Sequence, residues 1–380
     1  MSALYLDEAA TAAPRREVIE AMWPYLTGSF ANPASQHELG KVAARGLEEA
    51  RERVAGLLGV RPSEVIFTSG GTESDNAAVK GLALGDPRGR HVLVSAIEHP
   101  AVLEPAAWLA RQGFEVEHLP VDGNGVVHPE VLAERVRADT TLVSIQYANN
   151  EVGTVQDLPA LSAALAVPGA PAGGVPLHTD AVQAAGAFEL DVTSLGVRAM
   201  SLAGHKIGTP KGIGVLWVHR RAGFEPLIHG GGQQGGRRSG TENVAGAVGM
   251  ATALDLAAGA RAASEIAALR ERRDHFIADV LGAVPSAELT GSTAERLPGH
   301  ASFVFPGRSG ESILLDLERQ GIYCSSGSAC AAGSTEPSHV LTAMGYAAEL
   351  AQTAVRFTFG TATSAQNLER ARAALAAAVR

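Results

Sequence analysis

Aromatic residues are scarce in this chain, 5% of 380 residues against 46% apolar residues in all. A core must therefore rest on Ala, Val and Leu, a composition that suits helices packed closely on a parallel sheet. Cysteine is scarcer still. Cys324 and Cys330 are the only two, too few for a disulfide framework at this length, and their spacing is neither that of a zinc knuckle nor that of a thioredoxin-like pair. A basic excess is also missing: the formal net charge is -9 and no long Lys/Arg run occurs, which argues against nucleic acid as a direct partner. No stretch approaches the roughly 20 apolar residues that cross a bilayer. The opening MSALYLDEAATAAP has neither the basic start nor the apolar core of a signal peptide. These absences together point to a cytoplasmic protein that does not enter a membrane.

What is present is length and a regular alternation. A chain of this size exceeds one ordinary core and implies two or three domains. Short apolar runs at Val65–Thr68, His91–Ser95, Val116–Leu119, Leu142–Gln146, Leu177–Thr179 and Ala199–Leu202 are mostly separated by helical stretches, the pattern of a mainly parallel sheet in an α/β domain. One long helical segment is expected from about Ala251 to Leu281. Beyond it, strands near Ala301–Phe305 and Val355–Thr358 and helices near Glu311–Gln320 and Pro337–Met344 suggest a smaller α+β domain. The first 15 or so residues read as an arm that docks on something else.

The polar residues that follow the strands converge. Lys206 lies in a glycine- and proline-punctuated connection between Ala199–Leu202 and Gly214–Val218, where lost solvation favours the neutral amine that attacks carbonyls. A loop lysine in a hairpin is the equally plain reading of that stretch alone. After the first strand, SGGTESDN places Gly70 and Gly71 in a tight turn and Thr72 at a helix start, whose free amides and dipole make a phosphate site. His99 follows the second strand, Asn149 the fourth, Asp180 with Gln183 the fifth and His205 with Lys206 the sixth. All lie at carboxyl ends of strands, where open α/β sheets bind ligands. Pyridoxal phosphate needs a lysine for its aldehyde, an acid at its ring nitrogen, a phosphate cradle and something flat on its ring face. Lys206, Asp180, the Gly71-Thr72 turn and His99 fill those places. Asn149 and Gln183 could bond the ring's phenolic oxygen, and His205 could join the phosphate shell.

At these motifs the chain resembles the cysteine desulfurases of the class V aminotransferases, within the fold-type I pyridoxal phosphate enzymes. The resemblance runs nearly end to end through YLDEAAT, NPAS, FTSGGTESDN, EHPAV, NNEVGTVQ, HTDAVQ, GHK, GGGQQGGRRSGTEN, SSGSAC with EPSHVL, and VRF. It implies a large cofactor-binding domain over residues 16–255, with a mainly parallel seven-stranded sheet. Residues 1–15 and 256–380 would form the small domain, carrying the catalytic cysteine on the longer type of SSGSAC loop. Lys206 then resembles the Schiff-base lysine, Cys330 the cysteine that becomes a persulfide, and His99 the stacking and proton-transfer histidine. Asp180 and Gln183 match ring contacts, Thr72 and His205 phosphate ligands. Arg356 resembles the arginine that pairs with the substrate carboxylate, assisted by Asn149. Thr241 resembles a threonine that reaches the phosphate of a neighbouring subunit, implying a homodimer. The implied reaction takes L-cysteine to L-alanine, leaves the sulfur on Cys330, and passes it to an acceptor protein of iron-sulfur cluster assembly or thiolation. No metal is implied.

The chain departs from that pattern at three places. Ala203 stands where a serine usually meets the cofactor phosphate, and Ser201, one pleat back, lies roughly 6 to 7 Å away. Gln234 and Gly235 replace a usual Glu-Arg pair, with consequences for contacts at a dimer edge. Ala12 replaces a common second threonine. Rival readings are a selenocysteine lyase or another class V aminotransferase activity, and, from a different class, a sulfur-relay or scaffold subunit without turnover of its own. Cys324 reads as structural, and Arg238 serves either the cofactor region or a subunit interface.

Overall fold

The computed structural model describes residues 3–85, 88–166, 174–327 and 336–380. Its centre is a seven-stranded sheet of β2 (Val65–Thr68), β3 (His91–Ser95), β4 (Glu115–Leu119), β5 (Thr140–Ser144), β6 (Leu177–Asp180), β7 (Ala199–Ala203) and β8 (Gly214–Val218), in the order β2-β8-β7-β6-β5-β3-β4. All neighbours are parallel except β8, which runs antiparallel to β2 and β7. The fold is α/β, as the sequence implies.

Strand periodicity divides the side chains between two covered faces. Phe67, Leu93, Val143, Leu177, Met200, Val215 and Trp217 point to one core, closed by α1 (Arg16–Thr27), α2 (Glu38–Leu58), α5 (Pro129–Arg135), α6 (Leu158–Ala164) and α8 (Val244–Ala262). Ile66, Val92, Val94, Leu142, Ala199, Leu216 and Val218 point the other way, under α3 (Gly71–Gly85) and α4 (Pro100–Arg111). The helix α3 meets the sheet largely with alanines and glycines, which lets it approach closely where aromatics are few.

A second core gathers Leu4 and Leu6 with residues from Leu269 to Val379. It is built on β10 (His300–Val304) and β12 (Val355–Thr358) and flanked by α9 (Glu265–Ala283), α10 (Gly310–Arg319) and α13 (Ala365–Ala378). Five of the ten phenylalanines pack here, Phe276 lying edge-on to Phe303, Phe357 and Phe359, and Phe305 against Phe303. The amino-terminal arm is anchored in this core, since β1 (Leu4–Tyr5) pairs in parallel with β11 (Ile322–Tyr323). The helix expected from Ala251 to Leu281 is two helices, α8 and α9, separated at Ser264, whose φ of 63° is left-handed. No proline marks that break, so the apolar pattern runs through it unchanged.

Gln234, at one of the departures named above, is buried rather than at an edge. Its Oε1 accepts from the Arg51 guanidinium (2.9 Å) and the Phe67 amide (2.8 Å), and its amide nitrogen donates to Glu242. It ties α2 to β2.

One stripe of polar side chains crosses the α3 face. Ser144 Oγ lies 2.8 Å from His178 Nδ1, His178 Nε2 lies 3.0 Å from Ser201 Oγ, and Asp75 of α3 closes the row 3.7 Å from the imidazole. Buried polar groups are costly unless paired, and here the hydroxyls pair the ring on both sides. Burial pushes the His178 pKa down to about 3, below the ordinary value near 6.5. The stability it contributes is therefore complete above about pH 6.5 and is lost as the pH falls toward 3. His178→Gln, which cannot titrate, should lower the urea midpoint at pH 7. Its deficit against wild type should shrink by about 1.4 kcal/mol per pH unit below about pH 6, and a deficit independent of pH would contradict a buried neutral imidazole.

Candidate active site

The carboxyl ends of β2, β3, β6 and β7 open onto a cavity of about 370 Å³. Its wall brings together Gly71 and Thr72, His99, Asp180 and Gln183, His205 and Lys206, and, from β12, Arg356. These residues are spread over 285 positions of the chain, from 71 to 356, and the sheet order is what collects them. A neighbouring cavity of about 530 Å³ shares Ala9, Val182, Gln183 and Lys206 with it.

Lys206 follows β7 in a short 3-10 turn and is half-buried. Its Nζ donates to the main-chain carbonyls of Ala9 and Ala10, at 2.5 and 2.8 Å. Gln183 Nε2 donates to the same Ala9 carbonyl at 3.0 Å. Thr11 completes the arm's contact: its Oγ1 lies 3.2 Å from His205 Nδ1. Burial, with the Lys206 and Lys211 cations adding to it, lowers the His205 pKa to about 4.

Asp180 ends β6, with Oδ1 accepting the Val182 amide at 2.9 Å. Burial raises its pKa above the ordinary carboxylate value, while His99, the Val182 amide and Lys206 draw it back. His99 caps α4, its Nδ1 accepting the Ala101 amide at 3.1 Å, so the neutral ring carries its proton on Nε2. Burial holds its pKa below the usual imidazole value despite the pull of Asp180. At the start of α3 the first amides have no intrahelical acceptor, and Gly71 fits tightly: a Cβ there would lie 2.9 Å from Val182 Cγ2 and 3.3 Å from the Ala203 Cβ.

Arg356 is 2% exposed. Nη1 donates to the carbonyls of Asn150 (2.8 Å) and Gly327 (3.2 Å), and Nη2 pairs with Asp7 at 2.7 Å. Asn149, expected at the cofactor and substrate, lies outside the cavity wall. Its Nδ2 donates to Ile97 O and its Oδ1 accepts the Glu151 and Val152 amides, so its side chain holds the turn and its neighbour Asn150 lines the cavity instead. Thr241 is exposed and also outside that wall. Cys330 lies outside the described residues. Cys324 belongs with the second core, and burial pushes its thiol up to about 12. Arg238 grips Glu73 in the first turn of α3 at 2.8 and 3.2 Å.

Three acids in or near this site carry no local sign of their place. Asp7 belongs to an arm whose partner is far along the chain. Asp75 looks like an ordinary first-turn helix acid in TESDN, and Glu98 like a loop residue before a helix. Both are fully buried, and burial, with Asp180 beside them, raises their pKa values well above the usual range. Asp75 Oδ1 and Glu98 Oε2 have no hydrogen-bond partner among the described residues. An amine, a buried acid and a tight helix start at one cavity form a set that fits pyridoxal phosphate.

The model of the family described as "Aminotransferase class-V" matches residues 4–371. "Cysteine desulfurase IscS" of Dictyoglomus turgidum is 45% identical over 366 residues, covering 96% of this chain and 91% of that protein. The solved structure titled "NIFS-LIKE PROTEIN" superposes with a TM-score of 0.91 at 34% identity, over 99% of this chain and 98% of that one. "SspA in complex with cysteine" superposes with a TM-score of 0.81 at 32% identity, over 95% and 100%. By sequence, fold and site, the chain belongs to the aminotransferase class-V family, whose members work with pyridoxal phosphate.

Proposed function

We propose that the chain is a pyridoxal phosphate-dependent cysteine desulfurase, converting L-cysteine to L-alanine and handing the sulfur to an acceptor protein of iron-sulfur cluster assembly or thiolation. The observation that carries this is the meeting of Lys206, Asp180 and Arg356 in one cavity. Its wall includes Gly327, three residues before Cys330 in sequence.

The cofactor supplies an electron sink conjugated to the substrate's Cα. The chain supplies the rest. Lys206 would hold the cofactor through its aldehyde. Asp180, in the cavity wall, would pair with the ring nitrogen, and a cationic nitrogen beside it favours the ionised carboxylate. Gln183 serves as a ring contact. Gly71 and Thr72 offer α3 amides to the phosphate, with His205 nearby. His99, neutral and with its proton on Nε2, would exchange protons with the substrate. Arg356 takes the substrate carboxylate. Asn149 acts by fixing the turn that presents Asn150. Cys330 as thiolate attacks the substrate sulfur, the C–S bond breaks with its electron pair passing to the substrate carbon, and the enzyme is left as a persulfide.

The shared-site homodimer is supported by the exposure of Thr241 away from its own chain's cavity, and by Trp23 and Leu26, exposed one turn apart on α1. A division at residues 16–255 against 1–15 with 256–380 is supported by the separate core that joins Leu4 and Leu6 to residues beyond Leu269. Among the described residues no helix is long and apolar enough to cross a membrane.

Cys330→Ala should leave the cofactor's visible absorption intact and abolish alanine release from L-cysteine in the presence of a reductant. Retained turnover would remove Cys330 from the reaction. Ala203 is buried in the cavity wall beside Gly71, and Ser201, one pleat back, is engaged with His178. Ala203→Ser should place a hydroxyl at the phosphate and tighten cofactor binding about tenfold or more, the effect of one hydrogen bond to a charged group. Equilibrium dialysis measures it, and unchanged affinity would put the phosphate elsewhere.

A further inference from the structure

Arg356 is a buried cation, and among the described residues Asp7 is the only carboxylate within salt-bridge distance of it. Removing a buried charge's partner is costly, because the charge stays behind without compensation. Asp7 is held firmly for this task. The Tyr5 hydroxyl lies 2.9 and 2.8 Å from the carbonyls of Asp7 and Thr11. The Glu8 amide donates to Thr358 O at 3.2 Å, and the Ala9 amide to Thr358 Oγ1 at 2.9 Å. The arm is thus laced to β12, the strand that carries Arg356, and brings the Asp7 carboxylate to Nη2. The two carbonyls on Nη1 fix the plane of the guanidinium, and Nε is buried with no partner among the described residues. An amino acid entering the cavity therefore meets a guanidinium that already has a carboxylate on it.

We propose that Asp7 is a placeholder for the substrate's α-carboxylate: a positioning residue that holds Arg356 oriented in the empty site and whose charge opposes the incoming carboxylate. This rests on the reading that Arg356 binds that carboxylate. Two anions sharing one cation each weaken the other's binding by the same factor, so Asp7 sets a weaker hold on substrate and product than Arg356 alone would give. The arrangement favours turnover over tight binding of the ground state, since an interaction made equally in substrate and transition state lowers KM without raising kcat.

The test is calorimetric binding of L-alanine and of L-alaninamide, which lacks the carboxylate, to the holoenzyme. Asp7→Asn keeps the shape and removes the charge; it should bind L-alanine about tenfold more tightly, the scale of one charge-assisted contact, and L-alaninamide within twofold of wild type. Arg356→Gln should lose the preference for L-alanine over the amide. If Arg356→Gln loses that preference while Asp7→Asn binds L-alanine no more tightly than wild type, the placeholder role is overturned and the reading of Arg356 stands. If Arg356→Gln keeps the preference, the reading of Arg356 fails and the placeholder with it. Where Asp7→Asn folds too poorly for calorimetry, urea unfolding of the apoprotein decides. Asp7→Asn should lower the midpoint in the wild-type background and leave it unchanged or raised in the Arg356→Gln background; a fall of equal size in both would show that Asp7 acts independently of Arg356.

Discussion

Two main-chain carbonyls, those of Ala9 and Ala10, receive the ammonium of Lys206, and that contact joins the start of the chain to the hairpin at its middle. The arm that offers them is anchored at one end by the β1–β11 pairing and at the other by Thr11 and Ala12 on His205. In passing it delivers Asp7 to Arg356 and a carbonyl to Gln183. Beyond β1 the arm has no regular secondary structure of its own, yet it spans both cores and touches four residues of the site. Its conformation is set by those contacts, which is why its sequence carries so little local signal.

The electrostatics of the site follow from burial. Asp75, Glu98 and Asp180 lie together behind the sheet edge, and an interior of low polarizability cannot hold three neighbouring anions. Burial raises all three pKa values, and the neighbouring Asp180 charge raises those of Asp75 and Glu98 further. Asp180 alone has His99 and Lys206 as counterweights, so it is the one acid of the three placed to ionise against a cation. The histidines show the converse. His178 and His205 lie where a proton is expensive, and both are held neutral by burial. The row Ser144, His178, Ser201 and Asp75 then acts as a polar brace for the strand that carries Asp180, built from one residue each of β5, β6, β7 and α3.

How much of this could be read beforehand depended on range. Strand runs such as Val65–Thr68 and Gly214–Val218 stand in the structure where their β-branched and aromatic residues put them, because local sterics and two-residue periodicity suffice. The break at Ser264 was invisible, since an alanine-rich stretch stays helical in pattern whether or not the chain turns. The same limit applied to the site. Lys206, Asp180, His99 and the Gly71-Thr72 turn follow directly on strands and were legible as strand-end residues. Asn149 sits at such an end too, but which way its amide faces is decided by the Ile97 carbonyl and by the amides of Glu151 and Val152.

The sequence by itself determined the α/β class, the cofactor family and which polar residues stand at the strand ends, because motif spacing and strand-end position are properties of neighbours in the chain. Only the tertiary structure decided that Gln234 is a buried tie between α2 and β2, that Ser201 is committed to His178, and that Asp7 sits on Arg356 from 349 residues away. Each of these is the choice of one partner among many for a polar group removed from water. That choice is made by the folded packing as a whole, and no local stretch of sequence contains it.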